Sequence, residues 1–377
     1  MRISLHNPKT LQEKFFSLNW VLILTICAIV FIGILVLYSA AGGSINRWAF
    51  PQLIRFGLGF SLMLAMALTD IRIWLKSAYA FYIISLVLLV FVEFKGHIGM
   101  GAQRWVDLGV IKLQPSEMMK VALIVTLARY FRNVTEHGLS DIRYFVPPLL
   151  LILLPVGLVM KQPDLGTALI LLMSGFVLFF VAGLRWRYIL GMVILAAGAI
   201  PIGWNFLHAY QKRRIMTLLN PESDPLGAGY HVMQSKIALG SGGLSGKGFL
   251  KGTQGALNFL PEKQTDFIFT MFCEEFGFVG GIFLLCMYCF LIIQGYIITL
   301  RCRHHFGRLL GVGIFTTMFL YVVINMGMVM GLLPVVGVPL PLISYGGTAL
   351  LTLLMGFGFV LSADVHREPL HGKMENT

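Results

Sequence analysis

Charged side chains are scarce in this sequence of 377 residues: Asp, Glu, Lys and Arg together make up 12%, whereas hydrophobic residues make up 57%. So few polar side chains cannot cover the surface of a water-soluble globule, which excludes that class of protein. The composition instead indicates a protein that lies in a membrane.

Cysteine is also rare, with five residues in the chain. The spacing Cys286-x-x-Cys289 is typical of redox or metal sites, but it lies in an apolar stretch without a neighbouring His or carboxylate, so we interpret both residues as packing residues. A complete nucleotide-binding loop is lacking too. The segment 241–248 resembles a P-loop, yet Ser241 replaces its first Gly and Gly248 replaces its final Ser or Thr, which argues against nucleotide hydrolysis.

Long apolar stretches dominate what is present. A bilayer core about 30 Å thick needs roughly 20 apolar residues per helix. Stretches of about that size occur at 18–39, 49–68, 74–93, 115–130, 143–160, 165–183, 187–206, 267–300, 308–332 and 343–364. The sequence therefore predicts an all-α polytopic membrane protein of about ten transmembrane helices, forming a single domain over 1–377. The first stretch is longer than a signal-peptide core, so we expect it to be retained as the first helix.

Lys and Arg are unevenly distributed between the two sets of short loops. With the N-terminus in the cytoplasm, most of them fall in cytoplasmic segments, and the short outer loops hold only Arg47, Lys95, Arg104, Lys112 and Lys161. The positive-inside rule then predicts that both termini are cytoplasmic. Much of the net charge of +12 therefore comes from the basic residues that set the membrane topology. It is not evidence for binding to nucleic acid, and we expect no nucleic-acid partner.

One predicted loop is long. Residues 207–266, between the seventh and eighth predicted spans, form an outer loop rich in glycine and basic residues. Long ordered loops on a rigid scaffold often carry function. Two interpretations stay open for its charge: a site for an anionic ligand, or solvated charge without a specific role.

Ionisable residues at membrane depth are costly and usually face a polar cavity or one another. Glu117 and Lys120 lie three residues apart on one face of the fourth predicted helix. They either line a substrate path or form an internal ion pair that fastens two helices. Asp164 follows an outer hairpin, where it either caps the next helix or contributes to a site.

The eighth apolar stretch, 267–300, is longer than one straight crossing requires, so its first turns are expected to project from the bilayer or to tilt. Glu262 and Asp266 lie at its outer end and would share a face if the helix began early. Their proximity could then raise the pKa of one of them toward the range of a general base. The alternative is that Thr265 or Asp266 only caps the helix.

Seven segments together resemble the SEDS (shape, elongation, division, sporulation) family of bacterial membrane proteins. They are Gly101–Trp105, Gln114–Lys120, Lys161–Thr167, Asp224–His231, Gln234–Gly243, Phe259–Phe269 and Gly337–Gly347. The resemblance covers nearly the whole chain. Gly101–Trp105 and Lys251–Gln254 are most similar to the elongation branch of the family.

This resemblance implies a peptidoglycan glycosyltransferase of the bacterial cytoplasmic membrane. Such an enzyme polymerises lipid II, a disaccharide-pentapeptide on undecaprenyl pyrophosphate, at the outer face. Asp266 matches the essential Asp of the family. The candidate substrate-binding residues are Arg104, Trp105, Glu117, Lys120, Asp164, His231, Gln234, Lys247 and Glu262.

The resemblance also implies partners, namely a class B penicillin-binding protein and other proteins of the rod-shape elongation machinery. The sequence demands no cofactor, although a divalent cation, Mg or Mn, would suit a pyrophosphate leaving group. Two alternatives come from other functional classes. One is a lipid II flippase, whose polar residues should continue to the cytoplasmic side, and the other is a non-catalytic scaffold of the elongation machinery.

Overall fold

The structure is a computed structural model that describes residues 10–99, 102–107, 112–132, 142–183, 227–256, 260 and 262–367, together with scattered positions between 187 and 218. The elements follow one another along the chain. They are α1 (Leu11–Phe16), α2 (Trp20–Ala40), α3 (Phe50–Leu68), α4 (Ile71–Lys95), β1 (His97–Gly99), β2 (Ala102–Asp107), β3 (Lys112–Leu113), α5 (Pro115–Arg132), α6 (Ile142–Lys161), α7 (Leu165–Val181), α8 (Ala228–Ser241), α9 (Thr253–Ala256), α10 (Ile268–Arg301), α11 (His305–Val329) and α12 (Gly347–Val365).

Most of the predicted spans coincide with helices of the structure, and the fold class is confirmed. Among the described residues, seven helical stretches are long and apolar enough to cross a membrane, and the shorter helix α7 is also apolar. The seventh predicted span, 187–206, lies largely outside the described residues. The count of ten spans therefore stays a prediction.

Helices α5 and α11 form the centre of the bundle. Almost every side chain of α11 is buried, and α5 buries its polar residues as well as its apolar ones. Protein rather than lipid surrounds α5, which explains how a helix with several charges exists inside an apolar chain. The surrounding helices expose large apolar side chains such as Phe31, Val87 and Phe283. Cys286 and Cys289 are also exposed on α10, so their interpretation as packing residues is wrong.

Helix α10 is long and internally broken. Its 34 residues would span about 51 Å at 1.5 Å per residue, well beyond a hydrocarbon core of about 30 Å. Gly277 interrupts the helix with φ 68° and ψ −167°. We call the glycine-rich segment that lies against this break, residues 242–252, the glycine loop.

The glycine loop replaces the helical hydrogen bonds that the break removes. Main-chain N–H groups of the loop donate to carbonyls of α10, and N–H groups of α10 donate to loop carbonyls. The bonds are Lys247 N to Glu274 O (3.0 Å), Gly248 N to Glu275 O (3.0 Å), Phe278 N to Gly243 O (2.9 Å) and Val279 N to Leu244 O (3.1 Å). Broken backbone inside a membrane protein is tolerated where other protein groups satisfy it in this way.

Two further elements connect the spans. Strands β1, β2 and β3 form an antiparallel sheet between α4 and α5, with His97 opposite Trp105 and Val106 opposite Leu113. Helix α8 lies within the predicted outer loop 207–266 and packs on α10 and α11. Its buried Ser235 hydroxyl lies 2.7 Å from that of Thr270 and donates to Val329 O at 2.8 Å. This part of the loop is therefore ordered and integrated into the bundle.

Candidate active site

Asp266 lies immediately before α10, in a series of turns over residues 262–267. Its side chain is half-buried. One carboxylate oxygen, Oδ2, lies 3.4 Å from the position that a Cβ on Gly337 would occupy. Gly337 has φ 71°, a conformation that suits glycine and brings its backbone close to the carboxylate. The carboxylate therefore rests against the turn at Gly337.

The main chain around Asp266 is held by the end of α11 and by the segment before α12. Three consecutive carbonyls, which the helix itself does not use, accept hydrogen bonds from these elements. Gln264 O accepts from Tyr345 N (2.8 Å), Thr265 O from Ser344 Oγ (2.6 Å) and Asp266 O from Asn325 Nδ2 (2.9 Å). The position of this main chain is therefore set by residues far away in sequence.

Two expectations about the start of α10 are wrong. The N-cap residue is Phe267, and no side chain forms a capping hydrogen bond there, so neither Thr265 nor Asp266 caps the helix. Because α10 starts at Ile268, Glu262 and Asp266 do not share a helical face. The Glu262 carboxylate instead accepts hydrogen bonds from Gln264 Nε2 at 3.1 Å and from Thr265 Oγ1 at 3.2 Å.

His231 and Gln234 lie on α8, beside the start of α10. The His231 ring meets the Phe267 ring edge-on, with centroids 6.4 Å apart, so it lies next to the residue that follows Asp266. Gln234 is half-buried on the next turn of α8.

Lys247 is paired inside the protein. Its ammonium lies 2.7 Å from Glu274 Oε1 and 2.8 Å from Thr253 Oγ1. Glu274 is fully buried and also accepts from the N–H groups of Thr253 (2.8 Å) and Gln254 (3.2 Å). These contacts tie the glycine loop and α9 to α10, in addition to the backbone bonds at Gly277.

Glu117 and Lys120 form a buried cluster with Tyr321 of α11. Lys120 Nζ lies 2.6 Å from Glu117 Oε1, and the Lys120 and Glu117 side chains are only 3% and 7% exposed. The Tyr321 hydroxyl donates to Glu117 Oε2 at 2.8 Å and accepts from Lys120. The cluster thus joins α5 to α11.

Arg104 and Asp164 connect the sheet to the hairpin before α7. The Arg104 guanidinium donates to Gln162 O at 3.1 Å and to Pro163 O, and lies 3.8 Å from Asp164 Oδ2. Asp164 caps α7, as its Oδ1 accepts from Thr167 N at 3.2 Å. The capping interpretation of Asp164 is confirmed. Trp105 follows on β2 and is half-buried.

Two cavities lie near these residues. A small one of about 40 Å³ separates the Glu117–Lys120–Tyr321 cluster from the segment before α12, and Ser344 is among its walls. A larger crevice of about 500 Å³ lies between α8, α10 and α11. Its walls are mostly apolar and include Lys236, Phe269, Cys273, Phe278, Met326 and Met330. Neither Asp266 nor Arg104 lines either of these two cavities.

Sequence reasoning missed the pair of cations formed by Arg47 and Lys263. The Arg47 guanidinium lies 4.6 Å from the centre of the Trp48 ring, and Lys263 Nζ lies 6.0 Å from the same ring centre. Burial lowers the pKa of Lys263 from its usual value, and repulsion from Arg47 lowers it further. Lys263 Nζ also donates to Gly255 O. The repulsion between the two cations favours an anionic ligand in their vicinity. The position of Lys263, three residues before Asp266, was the only signal in the sequence.

Sequence reasoning also missed Asn325, Ser344 and Gly337. Asn325 is a single amide in an apolar run, a signal that on its own suggests a buried polar residue without saying what it binds. Among the described residues, no group of three or more His, Cys, Asp or Glu side chains could hold a metal ion.

Residues 17–369 match the family of cell cycle proteins that includes FtsW, RodA and SpoVE. The chain is 47% identical to the peptidoglycan glycosyltransferase MrdB of Escherichia coli (strain K12), over 97% of this chain and 98% of that protein. It is 30% identical to the peptidoglycan glycosyltransferase RodA of Treponema pallidum (strain Nichols), over 93% of this chain and 98% of that protein.

Two solved structures have similar folds. One belongs to a peptidoglycan synthase complex described as coordinating polymerization and crosslinking. Its matching chain has a TM-score of 0.81 and 33% identity, with 93% of this chain and 98% of that chain covered. The other is the rod shape determining protein RodA of Thermus thermophilus, with a TM-score of 0.71 and 31% identity, covering 93% of this chain and 98% of that one.

Proposed function

This chain belongs to the FtsW, RodA and SpoVE family of cell cycle proteins, and from that membership we propose that it is a peptidoglycan glycosyltransferase that polymerises lipid II. It acts at the outer face of the bacterial cytoplasmic membrane during cell elongation, with both termini in the cytoplasm. The observation that carries the proposal is Asp266. It is half-buried, the main chain around it is fixed by three hydrogen bonds, and an apolar crevice begins at Phe269, three residues further along the chain.

Asp266 is assigned as the general base. The acceptor hydroxyl oxygen attacks the anomeric carbon of the donor sugar while the bond from that carbon to the pyrophosphate oxygen breaks. The hydroxyl proton passes to the Asp266 carboxylate, and the electron pair of the broken bond leaves with undecaprenyl pyrophosphate. Because the donor bond is α and the product bond is β, a single displacement with one base suffices.

The pyrophosphate leaving group is negatively charged and needs positive charge nearby. In this proposal the side chains of Arg47 and Lys263 provide that charge. Both lie against Trp48, and Lys263 is in the same turn region as Asp266. An anion between them would relieve their mutual repulsion and stabilise the charge that develops as the bond breaks. A divalent cation, Mg or Mn, brought by the pyrophosphate is a further proposal, which loss of activity on EDTA treatment and its recovery on adding either ion would support.

The polyprenyl tail is assigned to the crevice between α8, α10 and α11. Its volume of about 500 Å³ and its apolar walls suit a hydrocarbon chain. Lys236 is exposed at this crevice and can approach an anionic head group. Phe269 links the crevice to the region of Asp266, so tail and reacting sugar can bind to one continuous surface.

The proposed partner is a class B penicillin-binding protein, together with other rod-shape elongation proteins. A similar chain occurs in a synthase complex described as coordinating polymerization and crosslinking, which supports a transpeptidase partner.

The test is incubation of the purified protein with labelled lipid II, with and without its transpeptidase partner, followed by separation of glycan chains by length. We expect polymer in both samples and more of it with the partner. Proteoliposomes that contain the same labelled lipid II in one leaflet test the flippase alternative. Transfer of label to the other leaflet without polymer would refute the proposal in favour of a flippase, and neither transfer nor polymer, with the partner present, would favour a scaffold.

A further inference from the structure

We propose that Asn325 is a positioning residue that sets the location of the Asp266 carboxylate through the main chain. This inference rests on the proposed function, because it takes Asp266 as the catalytic base. Asn325 Nδ2 donates to Asp266 O at 2.9 Å and to Val338 O at 2.7 Å. One side chain thus joins the two backbone segments that frame the carboxylate.

The two acceptors require an amide at this position. Both are main-chain carbonyl oxygens, which only accept hydrogen bonds, so the NH2 group must face them. A fully buried amide in an apolar helix is unfavourable unless its groups are bonded. Within the described residues, Asn325 Oδ1 has no hydrogen-bond partner. The side chain is therefore used entirely as a double donor.

The geometry connects Asn325 to the reacting group. Val338 directly follows Gly337, and Asp266 Oδ2 lies 3.4 Å from the Cβ position of Gly337. By holding Asp266 O and Val338 O together, Asn325 fixes the distance between the main chain of the base and the turn against which its carboxylate rests. A displacement of about 1 Å at a reacting group is enough to lower a rate by about 100-fold.

The contribution of Asn325 can be separated from folding. Ser344 Oγ and Tyr345 N continue to hold Thr265 O and Gln264 O when Asn325 is truncated. The turn before α10 should therefore remain in place, while the last carbonyl before the helix is released. A purely structural role for Asn325 would instead reduce the yield of folded protein and leave the activity per folded molecule unchanged.

The experiment measures kcat and KM for lipid II polymerisation by Asn325→Gln, Asn325→Ala and Asn325→Asp in the complex with the transpeptidase partner. We expect kcat to fall by about 10- to 100-fold in Asn325→Ala, with KM within about twofold of the wild-type value. Asn325→Gln keeps two donors and should recover part of the lost kcat. Asn325→Asp replaces the donors with acceptors and should have the lowest kcat of the three.

The matched control is Thr316→Val on the same helix. Thr316 is buried and its hydroxyl lies 3.1 Å from that of Tyr296, so this variant also loses a hydrogen bond of a buried side chain on α11, and that bond goes to α10 rather than to the turn before it. We expect its kcat and KM to match the wild-type values. A fall in kcat equal to that of Asn325→Ala would overturn the inference, because any buried polar loss on α11 would then have the same effect.

A double variant separates this inference from the proposed function. In Asp266→Asn, addition of Asn325→Ala should not lower the residual rate further, since Asn325 acts only through Asp266. Wild-type activity in Asp266→Asn would refute the base assignment and this inference with it. Loss of activity in Asp266→Asn together with an unchanged kcat in Asn325→Ala would overturn this inference alone.

Discussion

Glu117 lies in the first turn of α5, and Asp266 lies just before the start of α10, on the same side of the bundle. The surroundings of these two carboxylates differ. Glu117 is buried and bonded to the ammonium of Lys120 and the hydroxyl of Tyr321. Asp266 is half-buried. Asn325 and Ser344 donate hydrogen bonds to the main-chain carbonyls of Asp266 and Thr265. The protein fixes the whole Glu117 side chain in the first case, and in the second it fixes the main chain that carries the Asp266 carboxylate.

This difference indicates which carboxylate is available for chemistry. A base must accept a proton from a substrate, and a carboxylate that already balances a buried ammonium does so only at the cost of leaving that ammonium uncompensated. Asp266 is half-buried on a fixed main chain, which suits a general base. We therefore expect substitutions at Glu117 to act mainly on stability and substitutions at Asp266 to act mainly on rate.

The largest expected effect is that of Asp266→Asn on glycan formation. Asn keeps the shape of the side chain and loses its basicity, so the rate should fall at least about 100-fold. The variant should insert, melt at the wild-type temperature and still bind its transpeptidase partner. Chain-length analysis of the polymer and a co-purification assay measure both parts of the prediction.

Glu262→Gln is the matched control for Asp266→Asn. Glu262 accepts hydrogen bonds from Gln264 and Thr265 and is assigned a supporting electrostatic role. Its substitution should lower the rate by less than that of Asp266. Near wild-type polymerisation by Asp266→Asn would contradict the base assignment.

The second prediction concerns the Glu117–Lys120 pair. Glu117→Gln leaves a buried ammonium without its counter-charge, which should cost about 3–5 kcal/mol of stability. Glu117→Gln combined with Lys120→Met removes both charges and should recover most of the loss. Thermal unfolding in detergent, monitored without substrate, measures both variants. Equal stability of Glu117→Gln and wild type would instead support a substrate-binding role for this pair.

The third prediction concerns the break in α10. A Cβ at Gly277 would lie 2.3 Å from Gly246 N, and φ 68° is unfavourable for alanine. Gly277→Ala should therefore destabilise the protein by about 1–3 kcal/mol and release the glycine loop. Increased hydrogen exchange in residues 242–252 would report the release.

Gly57→Ala on α3 is the matched control for Gly277→Ala. A Cβ there would meet no atom within 4 Å, and alanine is favoured over glycine inside a helix by about 0.5–1 kcal/mol. Its stability should equal or exceed that of the wild type. If Gly277→Ala were as stable as Gly57→Ala, the glycine loop would not depend on close backbone contact at the break.

The helices could be predicted from the sequence because their signal is local. The apolar runs of α2, α4 and α10 have the length of a span, so their existence follows from hydropathy alone. Strands β1 to β3 were missed because segments of two to six residues show no alternating pattern long enough to detect. The break at Gly277 was missed because a single glycine inside an apolar run is compatible with an uninterrupted helix.

The candidate site could be predicted only in part. Asp266 was identified from its motif and its position before an over-long helix. The hydrogen bonds that hold its backbone join Asp266 to Asn325 and Thr265 to Ser344 across 59 and 79 residues. Contacts between residues so far apart in the chain produce no periodic pattern that could be recognised in a single sequence. The same limitation applies to Arg104, whose carbonyl partners are 58 and 59 residues away.

The smallest expected effect is that of Arg104→Ala on lipid II affinity. The Arg104 guanidinium donates to Gln162 O and Pro163 O and lies near Asp164, so these groups compete with a phosphate for it. We therefore expect the Kd for lipid II to change by less than about threefold, equivalent to about 0.7 kcal/mol.

Loss of these bonds, each of which contributes about 1 kcal/mol net, should instead loosen the sheet and increase hydrogen exchange in β2. Arg104→Lys, which keeps the charge but cannot bind both carbonyls in the same fork, should loosen the sheet to a similar degree. If lipid II affinity fell tenfold in Arg104→Ala and recovered in Arg104→Lys, charge rather than the two carbonyl bonds would explain the residue, and Arg104 would belong with Arg47 and Lys263 at the pyrophosphate.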